Sequence, residues 1–285
     1  MNSMKTTLLL AGMAALFMVI GHAIGGQKGM TMALLMATVM NVGAYWFSDK
    51  MVLSMHNAQA VGPDDAPELY EIVEELARRA NLPMPAVYVI DDDTPNAFAT
   101  GRDPEHAAVA ATTGIMRILT REELAGVMAH ELGHVHNRDI LISTIAATFG
   151  AAITWLGHMA MFLGPSRSDE REEGGGGIVG GILMMILAPL AATLIQMAIS
   201  RSREYGADDF GAQLSGNPLW LARALEKLEH GNRAIPMASA ESHPSTAQLF
   251  IVNPLSGSMI AGLFSTHPPI DERVSRLRAL AGEYR

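Results

Sequence analysis

The chain has 285 residues, of which 49% are hydrophobic and 17% charged, and it carries a formal net charge of -9. This balance excludes both an ordinary single soluble domain and an all-membrane chain, and its acidity offers no basic field, so no nucleic-acid partner is expected. The absence of cysteine excludes disulfides and thiolate metal sites, leaving histidine and carboxylate as the available zinc ligands.

In chain order, four segments are long and apolar enough to cross a hydrocarbon core of about 30 Å, which takes roughly 20 helical residues. Residues 6–24 and 30–47 are joined by the short link 25–29 and read as one transmembrane hairpin; residues 140–163 and 178–199 read as a second. The first segment follows Lys5 as a signal peptide would, but its apolar run is long and no Ala-x-Ala cleavage site follows. The acidic, glycine-rich loop 164–177 suits a connection outside the bilayer.

Two polar stretches remain, and neither alone has the elements of a complete domain. In the first, Leu69, Ile72, Val73, Leu76 and Ala77 fall at helical spacing, while residues 86–90 and 106–115 read as strands. In the second, Asn217-Pro218 opens a helix, and Ile270, Val274, Leu277 and Leu280 mark a last amphipathic one. The expected organisation is a transmembrane hairpin over 1–48, one half of a catalytic domain over 49–139, a second hairpin over 140–199, and the other half over 200–285.

The chemistry concentrates where the first half ends. Thr120-Arg121-Glu122-Glu123 is a capping-box sequence, so a helix should start there and run through His130-Glu131-Leu132-Gly133-His134. Four residues apart on that helix, His130 and His134 share a face and can reach one zinc ion. Glu131 lies beside the metal, where its carboxylate can take a proton from a water the metal has made acidic and pass it to a leaving amine.

Zinc hydrolases of this kind use three protein ligands, and the third is often a glutamate on another helix. Glu204 is the candidate: a chain that leaves one membrane face after Asp139 and crosses twice returns to that face near Ser200. The competing reading makes Arg201, Arg203, Glu204 and Asp208 a charged membrane-interface cluster. Asp208 and Asp139 are candidates to orient a ligand imidazole through its other nitrogen. His267, at the start of the last helix, is a candidate for stabilising the oxyanion, whereas His136 should point away from the metal face. His22 and His158 lie inside apolar runs, a placement that marks an ionisable group for function by default, but a neutral imidazole near a helix end is the reading favoured for both.

These residues resemble the HtpX-type membrane-embedded zinc metalloproteases, distant relatives of the prenyl-protein (CAAX) endopeptidases. The likeness rests on "HELGH", "SRSREYGAD", "NAFATG" and "STHPP", and on the two hydrophobic hairpins. It implies zinc on His130, His134 and Glu204, with Glu131 catalytic. It also implies a bacterial inner-membrane, multi-pass endopeptidase facing the cytoplasm, acting on misfolded membrane proteins alongside an ATP-dependent membrane protease.

The expected fold is α+β and mostly helical, a zincin-like metallopeptidase domain with four transmembrane helices in two hairpins. Lys5 and Lys50 against Lys28 decide the orientation only narrowly. A prenyl-protein (CAAX)-type endopeptidase shares the mechanism and differs in substrate. A membrane scaffold with a structural zinc would close its site with a fourth protein ligand, and an intramembrane protease would lack the charged residues Arg121, Glu122, Glu123 and Arg138 around the motif. Substrate is expected to lie as an added strand along residues 106–115.

Overall fold

The computed structural model describes residues 2–162, 201–235, 237–255 and 268–283. Expectations for the loop 164–177, the segment 178–199 and His267 lie outside the described residues. What is described is α+β and mostly helical.

Helix α1 (Asn2–Met55) is broken at Gly25 and at Gly26, whose φ of 57° favours glycine. The chain reverses there. Asn41 Nδ2 donates to the Leu10 carbonyl at 3.1 Å, and a Cβ on Gly21 would collide with the Gly29 backbone and Ala33, so the two arms lie antiparallel and nearly touch. Most apolar side chains of the second arm, among them Met32, Leu35, Val39 and Trp46, are exposed, as a lipid-facing helix requires. This arm, Gly25–Met55, is the one described helix long and apolar enough to span a membrane, while Thr6–Val19 and Ile140–Ala151 are shorter apolar stretches. His22, which falls in the first hairpin, is exposed.

The sheet has the order β1-β2-β4-β3. Strands β1 (Gln59–Ala60), β2 (Ala86–Ile90), β3 (Ala97–Gly101) and β4 (Ala107–Thr112) pair antiparallel except for β2 with β4, which run parallel. Two expectations are corrected here. The run 106–115 is not one strand, because Thr112 Oγ1 accepts from the Ile115 N–H at 3.1 Å and caps a short helix, α3 (Thr113–Ile118). Nor can a substrate add to it, because β2 and β3 already occupy both edges of β4. The strands at the two ends of the sheet are β1 and β3.

Against the sheet packs α4 (Arg121–His136), surrounded by α2 (Pro67–Arg79), α6 (Arg201–Ser215) and α7 (Pro218–Ala234). The capping box starts α4 as its sequence dictates: Thr120 Oγ1 accepts from the Glu123 N–H, and the Glu123 carboxylate accepts from the Thr120 N–H at 2.9 Å. Leu69, Ile72, Val73 and Leu76 of α2 meet Leu124, Val127, Met128 and Leu132 of α4 in one buried cluster. Each such side chain contributes about 1.5–3 kcal/mol by leaving water. Asn217 caps α7 by accepting from the Leu219 N–H at 3.0 Å.

Three residues separate helix α5 (Ile140–Phe162) from the end of α4. Its first turns are buried in protein rather than offered to lipid: Ile142, Ile145, Ala146 and Phe149 pack against Leu9, Met13 and Ala44 of α1. Thr144 Oγ1 is 3.0 Å from Thr100 Oγ1 of β3. The chain continues with α8 (Ala238–Ser242), the 3-10 turn Pro244–Leu249 and the last helix α9 (Ile270–Glu283).

Candidate metal centre

Helix α4 is buried on almost every side, so its polar residues are placed by packing before any ligand acts on them. His130, Glu131 and Leu132 are each at most 1% exposed. Helix α6 crosses close by because both helices carry glycine at the crossing: a Cβ on Gly211 would come within 2.9 Å of the His130 backbone nitrogen, and one on Gly133 within 3.1 Å of Ala207 Cα. That approach brings Glu204 opposite the two histidines. His130 Nε2 and His134 Nε2 stand 3.2 Å apart, and the Glu204 carboxylate lies 3.9 Å and 3.7 Å from them. The three ligand atoms fall within 4.8 Å of one another.

Each imidazole is held by its other nitrogen. His130 Nδ1 lies 3.0 Å from Asp208 Oδ1, and His134 Nδ1 lies 3.3 Å from Asp139 Oδ2. An ionised carboxylate only accepts, so these contacts put a proton on each Nδ1 and turn the two Nε2 atoms toward each other. Two such nitrogens 3.2 Å apart need either a proton or a metal ion between them, since bare lone pairs repel. Two nitrogens at 2.0–2.1 Å from a tetrahedral zinc stand roughly 3.3 Å apart, so the residues present fit such an ion. Glu204 sits slightly wide of that spacing.

Arg273 of α9 is the site residue that the sequence reading missed. Fully buried, it donates to Asp208 through Nε at 2.9 Å and Nη2 at 2.7 Å, and to the Ile251 carbonyl through Nη1 at 3.1 Å. A signal existed: Arg273 interrupts the apolar stripe Ile270, Val274, Leu277 at its i+3 position, and an arginine on a core-facing stripe needs a buried carboxylate.

The charges follow from this packing. Burial lowers His130 to about 4, against the hydrogen bond to Asp208. Burial also opposes charge on His134, but the hydrogen bond to Asp139 and the carboxylates of Glu204 and Glu131 outweigh it and raise the group to about 9. Glu131 is raised to about 7 by burial, opposed by His134 and reinforced by Glu204. Burial works against ionised Asp208 too, yet Arg273 holds its carboxyl well below the usual range. Glu131 Oε1 is buried with no hydrogen-bond partner.

Around these groups lies a narrow cleft, lined by Ala99 of β3, Ile140 and Ser143 of α5, Arg203, and the segment Gln248 to Ile251. His136 turns away and stacks on Phe210 with ring centroids 4.4 Å apart.

A mostly helical α+β domain that presents two histidines of an HExxH helix and a glutamate of a second helix to one point defines a metallopeptidase. Residues 63–281 match peptidase family M48. The chain is 58% identical over 279 residues to a protease HtpX homolog of Methylibium petroleiphilum, covering 98% of each. It is 57% identical over 280 residues to one of Burkholderia ambifaria, covering 98% of this chain and 97% of that one. The crystal structure of S. mikatae Ste24p matches with a TM-score of 0.52 at 17% identity, over 96% of this chain and 65% of that one. The chain therefore spans about two thirds of that structure's length, and the likeness concerns the fold alone. The chain belongs to peptidase family M48. It is a membrane metalloendopeptidase acting on protein substrates.

Proposed function

We propose that this enzyme is a zinc endopeptidase in which His130, His134 and Glu204 hold the ion and Glu131 is the general base. The observation that carries the reading is the pair of Nε2 atoms 3.2 Å apart with Glu204 across from them. When bound, zinc supplies a Lewis acid that polarises the scissile carbonyl and acidifies water. Asp208 and Asp139 keep both imidazoles in the tautomer that presents Nε2. Arg273 keeps Asp208 ionised, so the proton stays on His130 Nδ1. Glu131 has its Oε1 buried in the cleft without a hydrogen-bond partner. That free oxygen takes the proton of the attacking water and delivers it to the leaving amine. His267 is a candidate for the developing oxyanion on its place in the sequence before the last helix.

The proposal extends to organisation and place. Two transmembrane hairpins, 1–48 and 140–199, carry a catalytic domain split into 49–139 and 200–285, in a bacterial inner membrane with the cleft facing the cytoplasm. The substrates are misfolded membrane proteins, handled alongside an ATP-dependent membrane protease. The support is the resemblance, the 57–58% identity to protease HtpX homologs and the lipid-suited arm of α1.

The test is the Glu131→Gln variant, purified in detergent, with zinc quantified and casein as substrate. Zinc should stay at one per chain while proteolysis falls about 100-fold or more, the usual contribution of general acid–base catalysis. Residual activity well above one per cent would remove Glu131 from the role. Loss of zinc in the variant would make it a ligand instead.

A further inference from the structure

Two polar side chains in the cleft carry buried atoms without a hydrogen-bond partner and take no part in the chemistry above. The guanidinium of Arg203, one residue before Glu204 on α6, lines the cleft with both terminal nitrogens buried and without a hydrogen-bond partner. Asp139 and Glu204 lie near enough to act on its charge, but neither is hydrogen-bonded to those nitrogens. Gln248 lines the same cleft and is 5% exposed. Its Nε2 donates to the Ser143 carbonyl at 3.3 Å, which fixes the amide so that Oε1 is the free end, and that oxygen is buried without a partner. A buried donor or acceptor left unsatisfied is costly, and more so when charged. Such groups persist where something that arrives later satisfies them.

We propose that Arg203 and Gln248 form a clamp for substrate backbone: the Arg203 guanidinium donates to a main-chain carbonyl of the bound peptide and Gln248 Oε1 accepts from a main-chain N–H. The proposal rests on the protease reading of this cleft and names the part of the substrate it holds. An acidic side chain would also satisfy Arg203, but it would leave Gln248 Oε1 facing another oxygen. It would also enter a cleft that already holds the carboxylates of Glu131, Asp139 and Glu204. A peptide bond offers one acceptor and one donor, the complement of this pair. With Ala99 of the edge strand β3 lining the same cleft, the groups that meet the peptide recognise its main chain, so affinity is largely indifferent to side chains.

The test uses full-length Glu131→Gln protein in detergent, loaded with zinc, and an extended fluorescein-labelled peptide whose binding is read by anisotropy. Adding Arg203→Met should weaken binding tenfold or more, the range for a hydrogen bond to a charged group, with zinc content unchanged. Arg203→Lys, which keeps charge but loses the fork, should fall between. A series of peptides with one backbone amide replaced by an ester should show one position at which the ester weakens binding to the Gln248 protein but not to a Gln248→Leu variant. Binding unchanged by Arg203→Met, or equal ester sensitivity with and without Gln248, overturns the clamp. A requirement for Asp or Glu in the peptide overturns it in favour of side-chain recognition. Casein cleavage by the otherwise unaltered enzyme is measured in parallel: its absence at full zinc would sink the protease reading itself, whereas cleavage with unchanged Arg203→Met binding sinks the clamp alone.

Discussion

Arg273 shows how one side chain ties a remote helix to the chemistry. Asp208 orients His130 only while it is ionised, and burial favours its neutral form; the two hydrogen bonds from Arg273 reverse that preference. Removing one partner of a buried ion pair leaves the other charge uncompensated and typically costs about 3–5 kcal/mol. Arg273→Met should therefore lower the thermal midpoint sharply and weaken zinc binding, measured by competition with a chelator. Adding Asp208→Asn should restore part of the stability, since no bare charge then remains, but not the zinc affinity. A double variant as unstable as Arg273→Met would assign Arg273 a packing role only.

At the scale of elements, the join between membrane arm and catalytic domain depends on His56, immediately after α1. It is 1% exposed, with Nδ1 2.9 Å from Ser239 Oγ and Nε2 2.9 Å from Thr246 Oγ1. Burial first, then the nearby His243, lowers its pKa from 6.5 to about 4. The unfolded chain therefore binds a proton between pH 6.5 and pH 4 that the folded chain refuses, so stability falls as pH falls through that window. The His56 share is about 2 kcal/mol between pH 7 and pH 5. Melting curves in detergent should lose that much more stability in the parent protein than in His56→Gln, because the other histidines titrate in both; equal losses would discard the assignment.

The sequence was legible where a signal is local. The capping box, the stripe of α2, the strand β2 and the proline-started α7 each announce themselves within a dozen residues. Strand β3 did not, because Ala97, Ala99 and Gly101 lack the β-branching that marks strands, and the residues that secure its start lie far along the chain: Asn96 Nδ2 donates to the Val252 carbonyl at 2.7 Å. Misjudging which strand ends the sheet followed from that. The spacing of His130 and His134 can be read from a helix, but the approach of Glu204 depends on the glycines at a helix crossing, whose partners no local pattern names.

For the whole molecule, the proposed topology and the site are interdependent: if residues 140–199 cross the membrane, Glu204 can face His134 only where the chain between them returns to the side it left. Single cysteines at Asn137, Ser168 and Ser202, in a chain with no cysteine of its own, should react with an impermeant maleimide in intact cells only at the middle position. The outer two should react after the membrane is opened. Labelling of all three from one side would refute the second hairpin.

The junction between α4 and α5 has one further implication. Its three residues are hydrogen-bonded back onto α4, Asn137 N to Gly133 O, Arg138 N to Val135 O and Asp139 N to His134 O, each at 2.9–3.1 Å, and Asp139 also steadies His134. No tether exists there along which the cutting groups could swing. With the first turns of α5 wedged against α1, the proposed topology would hold the cleft at a single altitude over the lipid, so that reach, rather than the letters of the substrate, would decide which bonds come under it.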